Sequence, residues 1–282
     1  QHEALDAATQ GFKDALTEKL GEGNVKFDEQ NASGDSANCT TIVSGFVSTG
    51  VDLILANATA PLQAAAQATA DIPVLGTSVT DYATALDISD WTGIVGNNTS
   101  GTADLAPLDQ QAAMIQEMFP DAKTVGLLYC SAEPNSVYQC DVIEGYLNEM
   151  GIETTRYAFT DTNDVTSVTQ AAAAASDVIY IPTDNTAASN TEAIANVVIP
   201  EKVPVVAGEE GICKGCGVAT LSISYYDLGY KTGEMAAEIL ADGADVSTMP
   251  VEFAPNVTKK YNAANCEALG ITPPDGYEAI AD

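Results

Sequence analysis

The sequence predicts an α/β protein of two Rossmann-like lobes with parallel sheets, and three observations support this prediction. The chain has 282 residues, too many for one ordinary core and enough for two lobes of about 100–150 residues each. Short apolar runs typical of strands alternate with helical periodicity, as expected for parallel sheets covered on both faces. The alternation restarts after a break near Gly96–Pro107, which suggests a second lobe.

The first block opens with an amphipathic helix whose apolar residues recur from Leu5 to Leu20, and a glycine follows it. Further elements are predicted from β-rich apolar runs and from helix start and stop residues. In order they are a strand at Val25–Phe27, a helix at Ser36–Ser48, a strand at Val51–Ala56, a helix starting at Pro61, and a strand at Ile72–Gly76.

The second block repeats the same alternation. Its predicted elements are a helix at Leu105–Phe119, a strand at Thr124–Tyr129, a helix at Asn135–Met150, a strand at Glu153–Tyr157, a helix at Asp164–Ala175, a strand at Asp177–Ile181, a helix ending near Ile199, and a strand at Val203–Ala207. A strand at Val218–Ser222 and a helix at Tyr226–Ala241 come after this block, so we expect the chain to return to the first lobe. We therefore assign 1–104 and 224–250 to the first lobe, and 105–223 and 251–282 to the second. Several crossings would restrict the lobes to a hinge motion.

The charge balance excludes some classes of partner. The chain has 10 Lys and Arg against 40 Asp and Glu, a formal net charge of −30. Such a surface repels nucleic acid and anionic membranes. The acids are scattered rather than placed at metal-ligand spacing, which favours a solvated acidic coat over a cation site. No apolar run reaches the roughly 20 residues of a membrane-spanning helix.

Six cysteines form an even set in a chain with one histidine. We predict disulfides in an oxidising compartment, with metal binding or free thiols as the alternatives. Cys213 and Cys216 form a CxxC pair that we place in a glycine-rich turn. The expected pairings are Cys130–Cys140, Cys213–Cys216 and, by elimination, Cys39–Cys266.

The sequence lacks the usual signatures of catalysis. The single histidine, His2, lies near the terminus, and no GxSxG occurs, so a Ser-His-Asp triad is not expected. Neither GxGxxG after a strand nor GxxxxGK[ST] is present, which argues against a nucleotide cofactor. We therefore expect neither enzymatic activity nor a cofactor.

Polar loops follow five predicted strands, at the ends where open parallel sheets bind ligands. They are Asn57–Ala60, Thr77–Thr80, Cys130–Ser136, Pro182–Asn185 and Gly208–Glu210. Asn135 and Ser136 lie at a predicted helix N-terminus, which suits a carboxylate, while Asp184, Glu209 and Glu210 could accept hydrogen bonds from an ammonium group. Together they favour an α-amino acid, although each of these residues could equally be an ordinary helix cap.

Several stretches resemble the substrate-binding proteins of ABC importers for aromatic amino acids, the tryptophan/tyrosine-binding type. They occur in the expected order over nearly the whole chain, and the stretch at 180–186 is fairly specific. They are Leu5-Asp6 with Gly11-Phe-Lys13, Gly50-Val-Asp-Leu-Ile-Leu-Ala56, Asp71-Ile-Pro-Val74, Asn135-Ser-Val137, Tyr180-Ile-Pro-Thr-Asp-Asn-Thr186, Pro204-Val-Val-Ala-Gly-Glu-Glu210 and Tyr225-Tyr-Asp-Leu-Gly229.

The resemblance implies a type I periplasmic-binding fold that buries tryptophan, phenylalanine or tyrosine between its lobes and delivers it to a membrane permease. It also implies an extracellular or periplasmic monomer, and any lipid anchor would lie on a segment outside residues 1–282. The implied ligand-binding residues are Thr59, Thr77 and Ser78 in the first lobe, and Asn135, Ser136, Val137, Asp184, Asn185 and Glu209 in the second. Glu209 stands where the family usually has Asp.

Two other functions compete with this interpretation, a carrier or sensor for another small solute and the ligand-binding core of a repressor. A carrier or sensor for another solute (a nucleoside, a sugar or an aliphatic amino acid) would use the same two lobes. A sugar site usually stacks rings on tryptophan or tyrosine, and Trp91 is the only tryptophan. A repressor would need a basic helix-turn-helix arm, which the sequence lacks.

Overall fold

The computed structural model describes residues 2–254 and 256–281. These residues form two compact units. The N-terminal unit comprises Glu3–Leu105 and 224–254, and the C-terminal unit comprises Ala106–Ile223 and 256–281 together with His2. The chain therefore passes from one unit to the other after Leu105 and returns after Ile223.

The N-terminal unit contains a four-stranded parallel sheet in the order β1-β2-β3-β9. Its strands are β1 (Ile54–Asn57), β2 (Val74–Val79), β3 (Thr99–Ala103) and β9 (Glu252–Phe253). Its helices are α1 (Glu3–Leu20), α2 (Ser36–Thr49), α3 (Thr59–Ala68), α4 (Tyr82–Ala85) and α11 (Tyr225–Asp242), with 3₁₀ turns at Glu22–Asn24 and Val246–Thr248.

Helices α1 and α11 pack in close contact because small residues lie between them. A Cβ atom on Gly11 would lie 2.1 Å from the carbonyl oxygen of Tyr226, and one on Gly229 would lie 1.9 Å from that of Ala8. Real side-chain carbons do not approach a backbone this closely. Glycine at these two positions therefore permits the contact that brings the returning helix onto the first helix.

The C-terminal unit contains a seven-stranded sheet in the order β11-β10-β8-β7-β6-β4-β5. Its strands are β4 (Thr124–Cys130), β5 (Glu153–Phe159), β6 (Val178–Ile181), β7 (Val205–Ala207), β8 (Ala219–Ser222), β10 (Thr258–Tyr261) and β11 (Glu278–Ala279). Its helices are α5 (Leu108–Met118), α6 (Pro134–Glu149), α7 (Val165–Ala175), α8 (Asn185–Ala188), α9 (Thr191–Glu201), α10 (Glu210–Cys216) and α12 (Ala263–Leu269). Only β10 runs antiparallel to a neighbour, β8, within the described chain.

The predicted α/β class with parallel sheets is confirmed. The central strands β6 and β7 are buried along their whole length, as expected for a sheet with helices on both faces. The predicted strand at Val25–Phe27 is wrong, because no ladder includes these residues. Val25 and Phe27 instead pack, half-buried, against a core cluster that includes Phe12 and Leu75.

The predicted disulfides are also wrong, since all six cysteines are buried free thiols. Cys39 belongs to the N-terminal unit and Cys266 to the C-terminal unit. Cys213 and Cys216 lie on one short helix, α10, rather than in the expected turn, and Cys216 Sγ donates to the carbonyl oxygen of Ile212 within it. Cys130 Sγ, at the end of β4, donates to the carbonyl oxygen of Thr160 instead of meeting Cys140.

Candidate functional site

In the N-terminal unit, helix α3 starts directly after the carboxyl end of β1. Thr59 is its first residue and is buried. The preceding residue, Ala58, has φ 94° and ψ 168°, a conformation that is rare outside glycine, and no side chain caps the helix. The first N–H groups of α3 therefore present the positive end of a helix dipole without a carboxylate at the cap.

Strand β2 carries a bulge at the next two predicted residues, Thr77 and Ser78. Gly76 pairs with Gly101 and Val79 with Ala103, so β2 has one residue more than β3 across this interval. Ser78 has φ 54°, in the left-handed region that favours glycine. Its buried Oγ has no hydrogen-bond partner among the described residues. Bulges of this kind redirect side chains beside functional sites.

Tyr82 packs against β2 and β3 next to the bulge. Its fully buried hydroxyl donates to the carbonyl oxygen of Thr102, 3.2 Å away, and burial raises its pKa well above the usual range. A Cβ atom on Gly76 would lie 2.3 Å from this hydroxyl, and one on Gly101 would lie 2.4 Å from it. The two glycines thus leave the space that the tyrosine hydroxyl occupies.

Asp104, which directly follows β3, was missed by the sequence analysis. It is 4% exposed, and its Oδ2 accepts from the hydroxyl of Tyr225 at 2.8 Å. Its Oδ1 is buried without a partner in the described part of the chain. Burial raises the pKa of Asp104, and hydrogen bonds from Tyr225 and Thr80 oppose that effect. A correct prediction of β3 would have placed this carboxylate at the carboxyl end of a strand.

In the C-terminal unit, Asp184 lies at the carboxyl end of β6 and caps helix α8. Its Oδ1 accepts from the N–H of Ala187 and its Oδ2 from the N–H of Cys130, both at 2.7 Å. Ser136, fully buried in α6, also bonds to it. Burial raises the pKa of Asp184, and the negative charge of Glu133 adds to that effect.

Glu133, at the N-cap position of α6, was also missed by the sequence analysis. Its carboxylate accepts from the N–H and side-chain amide of Asn185, at 3.0 and 2.7 Å. It also accepts from the N–H and hydroxyl of Thr186, at 2.8 and 2.7 Å. The side chain of Asn185 is thereby directed at Glu133. A glutamate just before Pro134, at a helix start, was the available signal.

The remaining predicted residues of the C-terminal unit lie at the same edge of its sheet. Asn135 is buried and donates to the carbonyl oxygen of Thr183 at 2.9 Å, while Val137 is half-buried. Glu209 follows β7, the neighbour of β6, and caps α10 by accepting from the N–H groups of Gly211 and Ile212. This edge therefore carries three carboxylates at helix starts, those of Glu133, Asp184 and Glu209.

The structure thus brings the predicted residues together in two groups, one in each unit. Thr59, Thr77 and Ser78 follow or end neighbouring strands of the N-terminal sheet, where the polar groups are mainly hydroxyls. The C-terminal group is carboxylate-rich. Within residues 2–254 and 256–281, no group of three His, Cys, Asp or Glu side chains is placed to hold a metal ion. Over the same residues, no helix has the length and apolar character needed to cross a bilayer.

Fold and site composition together define a ligand-binding protein of two α/β units. The chain belongs to the family of ABC transporter substrate-binding proteins, whose model matches residues 1–282. It is 36% identical over 259 residues to a tyrosine-binding protein from Clostridioides difficile strain R20291, covering 89% of this chain and 73% of that protein.

Two solved structures are similar along almost the whole chain. One is the ABC domain from Streptococcus pneumoniae in complex with L-Trp, at 31% identity and a TM-score of 0.93, covering 99% of this chain and 97% of the other. The other is a conserved domain protein from Vibrio cholerae, at 32% identity and a TM-score of 0.94, covering 99% and 96%. The fold is that of the type I periplasmic binding proteins.

Proposed function

We propose that this protein captures an aromatic amino acid outside the cell membrane and delivers it to the permease of an ABC importer. The observation that carries the proposal is the likeness to a tyrosine-binding protein and to an ABC domain solved in complex with L-Trp. The two compact units are then the lobes, and the chain segments that join them act as the hinge. The protein acts as a monomeric carrier and performs no chemistry on its ligand.

The N-terminal unit suits the α-carboxylate of such a ligand. The uncapped start of α3 offers free N–H groups and a favourable dipole, and Thr59 and Ser78 offer hydroxyls beside it. The sequence analysis had placed the carboxylate at Asn135 and Ser136. In the structure these two side chains lie next to Glu133 and Asp184, whose negative charges would repel it.

The C-terminal unit suits the α-ammonium group, because its three carboxylates attract a cation. Asp184 and Glu209 already accept from helix N–H groups, so they contribute mainly charge and further lone pairs. Asn135, Ser136, Val137 and Asn185 complete the proposed contact set. These six residues of the C-terminal unit, together with Thr59, Thr77 and Ser78 of the N-terminal unit, are the nine that the resemblance implies.

Thermal unfolding tests the proposed ligand. Protein stripped of bound ligand is melted against the twenty amino acids, several sugars and several nucleosides. A ligand at about 100 times its Kd stabilises the folded state by about 2.7 kcal/mol. We expect tryptophan, tyrosine or phenylalanine to raise the Tm while the sugars leave it unchanged. A response confined to sugars, nucleosides or aliphatic amino acids would contradict the proposed ligand class.

A further inference from the structure

Three buried threonine hydroxyls of the N-terminal unit form a continuous chain beneath the β2 bulge. Thr77 Oγ1 lies 3.2 Å from Thr102 Oγ1, which lies 2.8 Å from Thr232 Oγ1. Thr232 Oγ1 lies 2.9 Å from the carbonyl oxygen of Leu228, one turn earlier in α11. All three threonines have no exposed surface. This row of hydrogen-bonded hydroxyls therefore connects the bulge in β2, through Thr102 of β3, to the buried face of α11.

The last member determines the direction of these hydrogen bonds. A carbonyl oxygen can only accept, and a hydroxyl has a single hydrogen to donate. With Thr232 donating to Leu228, Thr102 donates to Thr232 and Thr77 donates to Thr102. Thr77 then has no hydrogen left for a ligand. Its neighbour Ser78 has an Oγ without a partner among the described residues.

The bulge needs such an anchor because its backbone is unfavourable. The left-handed φ of Ser78 costs energy for a residue with a Cβ, and the extra residue interrupts the ladder between β2 and β3. Thr102 is held twice, through its carbonyl oxygen by Tyr82 and through its hydroxyl by Thr232. The hydroxyl chain holds Thr77 in the core, while the next residue, Ser78, keeps a buried Oγ without a partner among the described residues.

We propose that Thr102 and Thr232 are positioning residues for ligand binding, acting through Thr77 to hold Ser78 where it meets the ligand carboxylate. Neither residue touches the ligand. The inference rests on the proposed function, because it assumes a carboxylate ligand at this end of the N-terminal sheet. It assigns Thr77 to the support of the site and Ser78 to the contact itself.

Thr232→Val tests the proposal because it keeps the side-chain shape and removes the hydroxyl. We expect the Kd for the bound aromatic amino acid to rise about five- to tenfold, which is the loss of roughly one hydrogen bond. Thr232→Ser restores the hydroxyl and returns the Kd to within about twofold of the wild-type value. Thr102→Val breaks the same chain from β3 and must also raise the Kd.

Thr169→Val in α7 of the C-terminal unit is the matched control. Thr169 is fully buried and donates to the carbonyl oxygen of Val165 at 2.7 Å, the same helical hydrogen bond that Thr232 makes. Among the described residues, no second threonine hydroxyl bonds to it. We expect its substitution to lower the Tm and leave the Kd unchanged. Unchanged Kd in folded Thr232→Val or Thr102→Val would overturn the proposal and assign these threonines to stability alone.

A double-mutant cycle of Thr77→Val and Thr232→Val shows whether the two hydroxyls affect ligand affinity through one connected row of hydrogen bonds or independently. If both act through one chain, the double variant binds about as weakly as the weaker single variant. Two losses of affinity that add in full would contradict the connection. Failure of the wild-type protein to bind any aromatic amino acid would instead refute the proposed function, and the inference with it.

Discussion

Two buried aspartates, Asp104 and Asp184, make the stability of the folded protein depend on pH. Burial raises the pKa of each above its ordinary value. At a pH between the unfolded and the folded pKa of each aspartate, the folded state therefore binds more protons than the unfolded state. Their contribution to stability is complete below the unfolded pKa of about 3.9 and is lost as pH rises through the folded pKa.

Asp104→Asn should remove this dependence at one site. The amide oxygen still accepts from Tyr225, but no charge is buried at high pH. The unfolding free energy of the variant minus that of wild type should increase as pH rises from 4 to 8. The increase is about 1.4 kcal/mol for each pH unit by which the folded pKa of Asp104 exceeds the unfolded one. Urea unfolding at intervals over this range measures it. A difference that does not vary with pH would show that Asp104 titrates normally.

Asp177→Asn is a control of opposite sign. Asp177 is exposed, and hydrogen bonds from the N–H groups of Lys123 and Thr124 lower its pKa. Its contribution to stability is present above the unfolded pKa and disappears as pH falls through the lowered folded value. The variant should therefore be less stable than wild type near neutrality and approach it in acid.

Sequence reasoning named most polar residues of the candidate site but not their hydrogen-bond partners. It named Asp184 and Glu209 because they follow strands, and the structure shows that both side chains cap helices. It missed Glu133 because nothing in the sequence indicates that this side chain accepts from Asn185 and Thr186, more than fifty residues away. Contacts at such separation depend on the sheet order, which the sequence does not state.

At the scale of elements, the strongly periodic helices and the apolar strands were predictable. Strand β3 was not, because its five residues Thr99–Ala103 are small or polar, although all are buried. The CxxC pair was placed in a turn because of its neighbouring glycines, whereas Glu209 caps a helix there. Val25–Phe27 has strand-like residues but no partner strand in the described chain.

The contact between α1 and α11 gives a prediction about an element pair. Gly229→Ala should destabilise the protein by about 1–3 kcal/mol, because the new Cβ would meet the backbone of Ala8. Gly45→Ala in α2 is the control, since nothing lies within 4 Å of its Cβ position. That variant should gain about 0.5–1 kcal/mol of helix stability. Equal effects of the two substitutions in urea unfolding would show that the helices can separate at little cost.

At the scale of the whole molecule, the charge and the two units have separate consequences. The net charge of −30 disfavours nucleic acid and anionic membranes as partners, and salt screens the repulsion within the molecule. The two units place different chemistry at their sheet edges. The N-terminal unit has hydroxyls, an uncapped helix and the buried carboxylate of Asp104, and the C-terminal unit has three carboxylates at helix starts. An α-amino acid, with its two opposite charges, matches this division.

Calorimetric titration of protein stripped of bound ligand tests whether the site binds an aromatic amino acid through both its carboxylate and its amine. L-Trp, L-Tyr and L-Phe are each titrated, together with tryptamine, which lacks the carboxylate, and indole-3-propionate, which lacks the amine. We expect 1:1 binding of at least one of the three amino acids. We also expect a Kd at least about tenfold higher for both analogues of tryptophan than for tryptophan itself, a difference of about 1.4 kcal/mol. No binding of any aromatic amino acid, or binding of the analogues with equal affinity, would contradict it.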